Sequence, residues 1–363
     1  MKSEWHKKKL GDVCVFEKSQ GIHRGLPYVG LEHIESQTAR FIGSVQPQTV
    51  KSTTFRFSRD HVLYGRLRPY LNKALVPSFE GHCSTEIFPI KPSQEVTKEY
   101  LLMWLTSEAT CKKINKTARG ARMPRAKMDE VLTFDIPVPP LDEQIQITKK
   151  VNTACAGIAK AKEIANKNMQ NARALFESHL QCIYTQRGPQ WVEKPFEDCI
   201  EDVKYTAKIP RKDFLEEGEF PIVSQETEFT NGYWGNAADL FKVTTPVVIF
   251  GDHTQVLKYI DFDFVLGADG VKILQPKPFL NPKFFFYALR SVPLKSLGYA
   301  RHYRLLKELQ IGYPDMNTQD AIAKKLNALT KETQRLAGLY EQKLEALESL
   351  KKSILHEAFS GNL

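Results

Sequence analysis

The sequence predicts an α+β protein: two mostly β domains with short helices, joined by two long helices that form an antiparallel coiled coil with near two-fold symmetry. Two stretches of about 43 residues each carry apolar side chains at alternating steps of four and three, the seam by which helices pack lengthwise. The segment before each stretch mixes short alternating runs with aromatics, glycine and proline, which reads as curved β structure. The order of motifs in the first half then recurs in the second, and an internal repeat outranks local assignments.

The first domain spans residues 1–140. Trp5 to Phe16, Leu26-Pro27-Tyr28-Val29-Gly30, Phe55-Arg56-Phe57 and His61-Val62-Leu63-Tyr64-Gly65 supply its strands and turns. A helix is expected from Thr97 to about Lys113, burying Tyr100, Leu101, Trp104, Leu105 and Ala109. A loop dense in cations follows, and Phe134 to Val138 forms a last strand. The first long helix, residues 141–184, opens on Asp142 as a capping residue. Its seam runs through Ile147, Val151, Ala154, Ile158, Ala161, Ala165, Asn168, Ala172, Leu175 and His179.

Gln186-Arg187-Gly188-Pro189 breaks the chain, and the second domain, residues 185–315, restarts the order. Trp191 answers Trp5, Asp198 answers Asp12, Phe250-Gly251 answers Tyr64-Gly65, and Phe284 to Ser291 answers Tyr100 to Ser107. Gly267 to Gly270, Asp269 included, reads as a turn. The second long helix covers residues 316–359, with Pro314, Asn317 and Gln319 matching Pro139, Asp142 and Gln144. Its seam is Ile322, Leu326, Leu329, Thr333, Leu336, Tyr340, Lys343, Leu347, Leu350 and Ile354. A lone helix this long would expose its apolar stripe, so the two are expected to cover each other. The polar members Asn168, His179 and Lys343 read as register-setting residues of that seam.

At 363 residues and 42% hydrophobic content, the chain can build two cores. The start at Met1, with Lys2, Lys7, Lys8 and Lys9, shows no signal-peptide core, and a cytoplasmic location is expected. Six cysteines without a CxxC pair indicate neither a zinc site nor a disulfide framework. A net charge of +9 favours an anionic partner, nucleic acid before membrane. Phosphate-loop, zinc-protease and hydrolase motifs are missing, as is the Asn/Asp-Pro-Pro-aromatic motif of adenine methyltransferases, so no catalytic residue and no metal ligand is expected.

Ile136-Pro137-Val138-Pro139-Pro140-Leu141-Asp142-Glu143-Gln144, the C-terminal Leu347 to Gly361 run, Leu10-Gly11-Asp12-Val13 and Tyr64-Gly65-Arg66-Leu67-Arg68 carry a resemblance. The chain resembles the specificity subunit of type I restriction-modification enzymes, and the related specificity subunit of type IIB enzymes. The resemblance implies two target recognition domains, each reading half of a bipartite, asymmetric DNA sequence, with the coiled coil setting the spacing. It implies two modification subunits that bind S-adenosylmethionine, and restriction subunits that use ATP and Mg2+, with no cofactor on this chain. The second copy departs from the pattern at Phe250-Gly251-Asp252-His253, which lacks the arginines of the first. A non-catalytic protein scaffold without specific DNA recognition is the alternative reading.

Candidate DNA contacts in the first domain are Arg56, Arg66, Arg68, Lys73, Arg119, Arg122, Arg125 and Lys127. Guanidinium groups pair bidentately with guanine or clamp phosphates; the bland reading is a solvated, salt-bridged basic surface. In the second domain, Tyr299, Arg301, His302, Tyr303 and Arg304 take the place of the first basic loop, against the alternative of a packed aromatic cluster. Lys204, Lys208, Arg211 and Lys212 are candidates for phosphate contact. Tyr233, in the Asn231-Gly232-Tyr233-Trp234 run, is either a stacking residue or part of a turn and core.

Overall fold

The computed structural model describes residues 5–268, 270–298 and 300–361. It divides into two compact units, the first made of Met1–Ala165 with Gln342–Leu363 and the second of Asn166–Glu341.

In the first unit, the run Val62–Gly65 is buried at every position and forms an inner strand, as a continuous apolar segment should. It pairs antiparallel with Ile87–Pro92 and with Ala74–Leu75, and Cys14–Phe16 completes the four-stranded sheet. A second sheet orders Gln20–Gly21, Thr54–Phe57, Gly81–Ser84 and Tyr28–Val29. His6–Lys9 pairs antiparallel with Asp135–Val138. The helix expected over 97–113 is two helices, Lys98–Thr106 and Glu108–Lys116. Ser107 divides them: its hydroxyl donates to the Trp104 carbonyl and accepts from the Thr110 N–H, capping the second. Ala109 consequently turns outward, and Thr110 and Ile114 are buried instead.

The second unit repeats the plan. Val192–Pro195 pairs with Gln310–Tyr313, as His6–Lys9 does with Asp135–Val138. Val247–Gly251 lies between Leu257–Ile260 and Val271–Leu274. A five-stranded sheet centres on Phe264–Gly267 and Phe220–Val223. The helix Pro282–Arg290 starts at Asn281, whose side chain accepts from the Lys283 and Phe284 N–H groups.

The long helices are Leu141–Thr185 and Met316–Ser360. Each unit holds the start of one against the end of the other, which makes them antiparallel. In the first unit Ile147, Val151 and Ala358 share one core, with Ile354, Leu355 and Phe359 packed on it, and Lys162 pairs with Glu348. In the second, Phe176, Leu180 and Tyr184 share a core with Ala323 and Leu326, and Ile322 and Leu329 pack on it. The units also match in detail. Gln144, fully buried, accepts from the Thr97 N–H and donates to the Glu95 and Pro139 carbonyls. Gln319 accepts from the Asn281 N–H and donates to the Phe279 and Pro314 carbonyls. Tyr100 meets Phe359 edge-on at 5.5 Å, and Phe284 meets Tyr184 at 5.3 Å.

The seam departs from its expected course at equivalent places. Ile158 and Ala165 are buried and Leu336, Leu347 and Ile354 half-buried, but Leu175 is 59% and Leu350 49% exposed. A straight α-helix drifts about 20° per heptad against a seven-residue repeat, and by the fifth repeat that carries the stripe off the interface. Phe176 and Lys351, one residue on, turn inward in their place. His179 and Lys343 are exposed as well, so they set no register; Asn168 is half-buried. No helix among the described residues is long and apolar enough to cross a membrane.

Candidate nucleic-acid interface

The two arginine groups of the first domain, distant in sequence, are held side by side by backbone bonds. Arg119 and Arg125 exchange N–H to carbonyl bonds at 3.0 and 2.9 Å, closing residues 119–125 into a hairpin. Gly120 takes a φ of +105°, which a side chain would strain. The segment after strand Val62–Gly65 runs along this hairpin: the Arg68 N–H donates to the Pro124 carbonyl at 2.7 Å and the Ala126 N–H to the Arg66 carbonyl at 2.9 Å. Arg68, Arg119, Arg122 and Lys127 are exposed around it.

Six of the eight candidate cations are already engaged by the protein, Arg119 through the Lys116 and Ala118 carbonyls at 3.4 and 3.3 Å. Arg125 Nε donates to both Glu86 carboxylate oxygens at 2.9 and 3.1 Å, with its Nη2 2.8 Å from Oε1. Arg66 lies 3.6 Å from the same carboxylate, its guanidinium 5.2 Å over the Phe88 ring. These two therefore brace the hairpin against the sheet, in the salt-bridged arrangement that was the alternative to DNA contact. Lys73 Nζ donates to the Leu31 carbonyl at 2.6 Å, which ties it to a neighbouring turn. Lys127 pairs with Glu130 at 3.1 Å. Arg56 stands on the other sheet, in Thr54–Phe57, 3.9 Å from Glu80. Among the described residues, the side chains of Arg68 and Arg122 have neither a hydrogen bond nor an ion pair. Nothing in the sequence marks Glu86 as the partner of Arg66 and Arg125, because it is one of several acids between the two basic segments.

In the second unit the corresponding loop is pinned at the corresponding place, by an acid where the first unit has Arg66. The Asp252 carboxylate accepts from the Tyr303 N–H at 2.7 Å, and its backbone carbonyl accepts from the His302 N–H at 2.8 Å. His302 is buried, with Nδ1 2.9 Å from the Asp252 carbonyl and Nε2 accepting from the Leu297 N–H at 2.9 Å. Both ring nitrogens are used internally, so His302 is a loop anchor and not a base reader. Arg301 and Arg304 flank it, exposed. Tyr303 is half-buried against Phe196, with Lys272 Nζ 5.0 Å over its ring, and burial raises its phenol pKa. Tyr299 lies outside the described residues, as do Asp269 and Met1 to Glu4.

Lys204, Lys208, Arg211 and Lys212 are exposed; Lys208 Nζ sits 4.9 Å over Tyr205, and Arg211 is 3.7 Å from Glu226. Tyr233 is half-buried in Gly232–Trp234, its N–H and carbonyl bonded to Leu215. Asn231-Gly232 is no two-residue turn but the end of the loop that follows Phe220–Val223. That loop is secured by Lys258, unforeseen in the sequence, which is only 4% exposed. Its ammonium donates to the Ser224 carbonyl at 2.9 Å, to the Asn231 side chain at 3.2 Å and to the Glu228 carbonyl. Desolvation lowers its pKa, against the opposing pull of Glu226 and Glu228. The inward alternation of Lys258 with Ile260 was the signal that could have found it.

Comparison with known proteins bears on this geometry. Residues 2–167 match the family described as type I restriction modification DNA specificity domain. Over 174 residues the chain is 25% identical to the specificity subunit of the type I restriction enzyme EcoDI of Escherichia coli, covering 47% of this chain and 39% of that one. The match thus spans about two fifths of the relative's length. A solved structure from work on complex assembly and conformational transition of the type I R-M system is similar, with a TM-score of 0.82, 18% identity and 99% of each chain covered. The HsdS subunit from Thermoanaerobacter tengcongensis is similar too, at a TM-score of 0.66 and 18% identity over 99% of this chain and 98% of that one. Residues 2–167 are thus similar to a type I restriction modification DNA specificity domain, and the overall fold is similar to that of the HsdS subunit.

Proposed function

We propose that the chain is the DNA-reading subunit of a multisubunit methyltransferase and restriction enzyme. The observation that carries this is the hairpin 119–125 bonded along residues 66–68, which gathers unpaired Arg68 and Arg122 on a fixed backbone within the matched specificity domain. Fixed guanidinium groups can read guanine edges, and the surrounding cations can neutralise phosphates. The loop holding Arg301 and Arg304 plays the same part in the second unit, so the target is bipartite, and asymmetric because the two loops differ.

The long helices set the spacing between the half-sites. Each has 45 residues, about 67 Å of helix, close to two turns of duplex DNA at about 34 Å a turn. Two modification subunits dock on this chain, bind S-adenosylmethionine and methylate a flipped adenine, while restriction subunits supply the ATP- and Mg2+-dependent nuclease. This chain contributes no catalytic group of its own. Methylome sequencing of a host expressing the chain with its modification subunit tests the proposal. Two methylated half-sites at a constant spacing are expected; methylation without a sequence motif, or with one half-site only, overturns it.

A further inference from the structure

The hairpin 119–125 presents one long side chain that a charge-based reading does not use. Met123 is 46% exposed, between Arg122 and the Pro124-Arg125 pair, with Arg119 across the neck. A single exposed apolar residue on a surface ordinarily needs no explanation. This one differs because its backbone is fixed from three sides. Arg119 and Arg125 close the neck, Arg125 Nη1 donates to the Met123 carbonyl at 3.3 Å, and the Arg68 N–H holds the Pro124 carbonyl. Pro124 further restricts the residue before it to extended backbone. The loop thus forgoes the burial a thioether would gain by folding inward, and keeps an apolar tip among cations.

Among the base edges of the major groove, the one prominent apolar group is the thymine C5 methyl. An unbranched, polarisable thioether adapts readily to such a partner. We propose that Met123 is a specificity-determining residue that packs against a thymine C5 methyl in the half-site read by the first unit. The inference rests on the DNA-reading proposal above and extends it by naming the base feature recognised.

The test uses the complex of the chain with its modification subunit and duplexes carrying its methylome-defined target. Each thymine of the half-site is replaced in turn by deoxyuridine, which removes only the methyl, and Kd is measured for the wild type, Met123→Ala and Met123→Leu. One replacement should weaken wild-type binding roughly three- to tenfold, and leave Met123→Ala unchanged. Met123→Leu, which keeps an apolar tip, should stay sensitive, and all three should share one salt slope. Equal effects of deoxyuridine on wild type and Met123→Ala, no effect at any position, or a half-site without thymine would each overturn the inference while leaving DNA reading intact. Sequence-independent binding by the wild type would overturn the DNA-reading proposal and this inference together.

Discussion

Glu86 holds two arginines with one carboxylate, and the two do different work. Arg125 is locked by a two-pronged contact, whereas Arg66 approaches at 3.6 Å and its buried Nε has no hydrogen-bond partner. Glu86→Gln keeps the shape but removes the charge, which frees positive potential and loosens the hairpin. Binding to random DNA should then strengthen and fall more steeply with salt, while the preference for the target should shrink about tenfold. Titrations of target and random duplex at several salt concentrations measure both; an unchanged ratio would show that Glu86 does not position the loop. Gln144 offers a second test at this scale. Leucine at that position leaves the Thr97 N–H and the Glu95 and Pro139 carbonyls without their partner, and should cost roughly 3 kcal/mol in urea unfolding. Gln319→Leu should match it in the second unit, since its three bonds are the same.

The long helices show what a stripe in a sequence specifies. A four-three rhythm fixes which face is apolar over a few turns, but its slow rotation about the helix axis depends on whether the helix supercoils, and that is a tertiary outcome. Leu326→Ala should therefore cost about 2–5 kcal/mol, whereas Leu350→Ala, on the same nominal stripe, should cost under about 0.5 kcal/mol. Equal losses would restore the strict heptad. Lys162 and Glu348 link the two helices, and the bond from Lys162 holds the Glu348 carboxyl below its ordinary range. A depressed carboxylate contributes stability above its unfolded pKa and loses it as pH falls through the folded value, so this contribution is complete above pH 4.5 and fades below it. Lys162→Met should flatten the acid limb of stability against pH in that window. The repeat itself was legible because matched residues recur in order. Ser107, which splits one expected helix in two, was not, because a serine signals a cap only where the chain also turns.

At the scale of the molecule, the sequence identified which segments are basic but not which cations face outward. Arg68 and Arg122 differ from Arg125 through Glu86, in the turn before Ile87–Pro92, a tertiary neighbour no local pattern reveals. His302 looked like a base reader for want of Leu297 and Asp252 beside it. What both levels share is a pair of 45-residue helices, and the proposal that they fix the half-site spacing has a numerical consequence. Removing seven residues from each, in matched register, shortens each helix by about 10 Å and turns its apolar face by only about 20°. The packing survives such a change. At about 3.4 Å per base pair, the spacer between methylated half-sites should shorten by about three base pairs, with both half-site sequences unchanged. A spacer of unaltered length in an active complex would mean that the partners, and not these helices, set the distance. Loss of methylation with retained binding to each separate half-site would instead place the fault in the rotation of one half-site about the duplex, which three base pairs alter by about 100°.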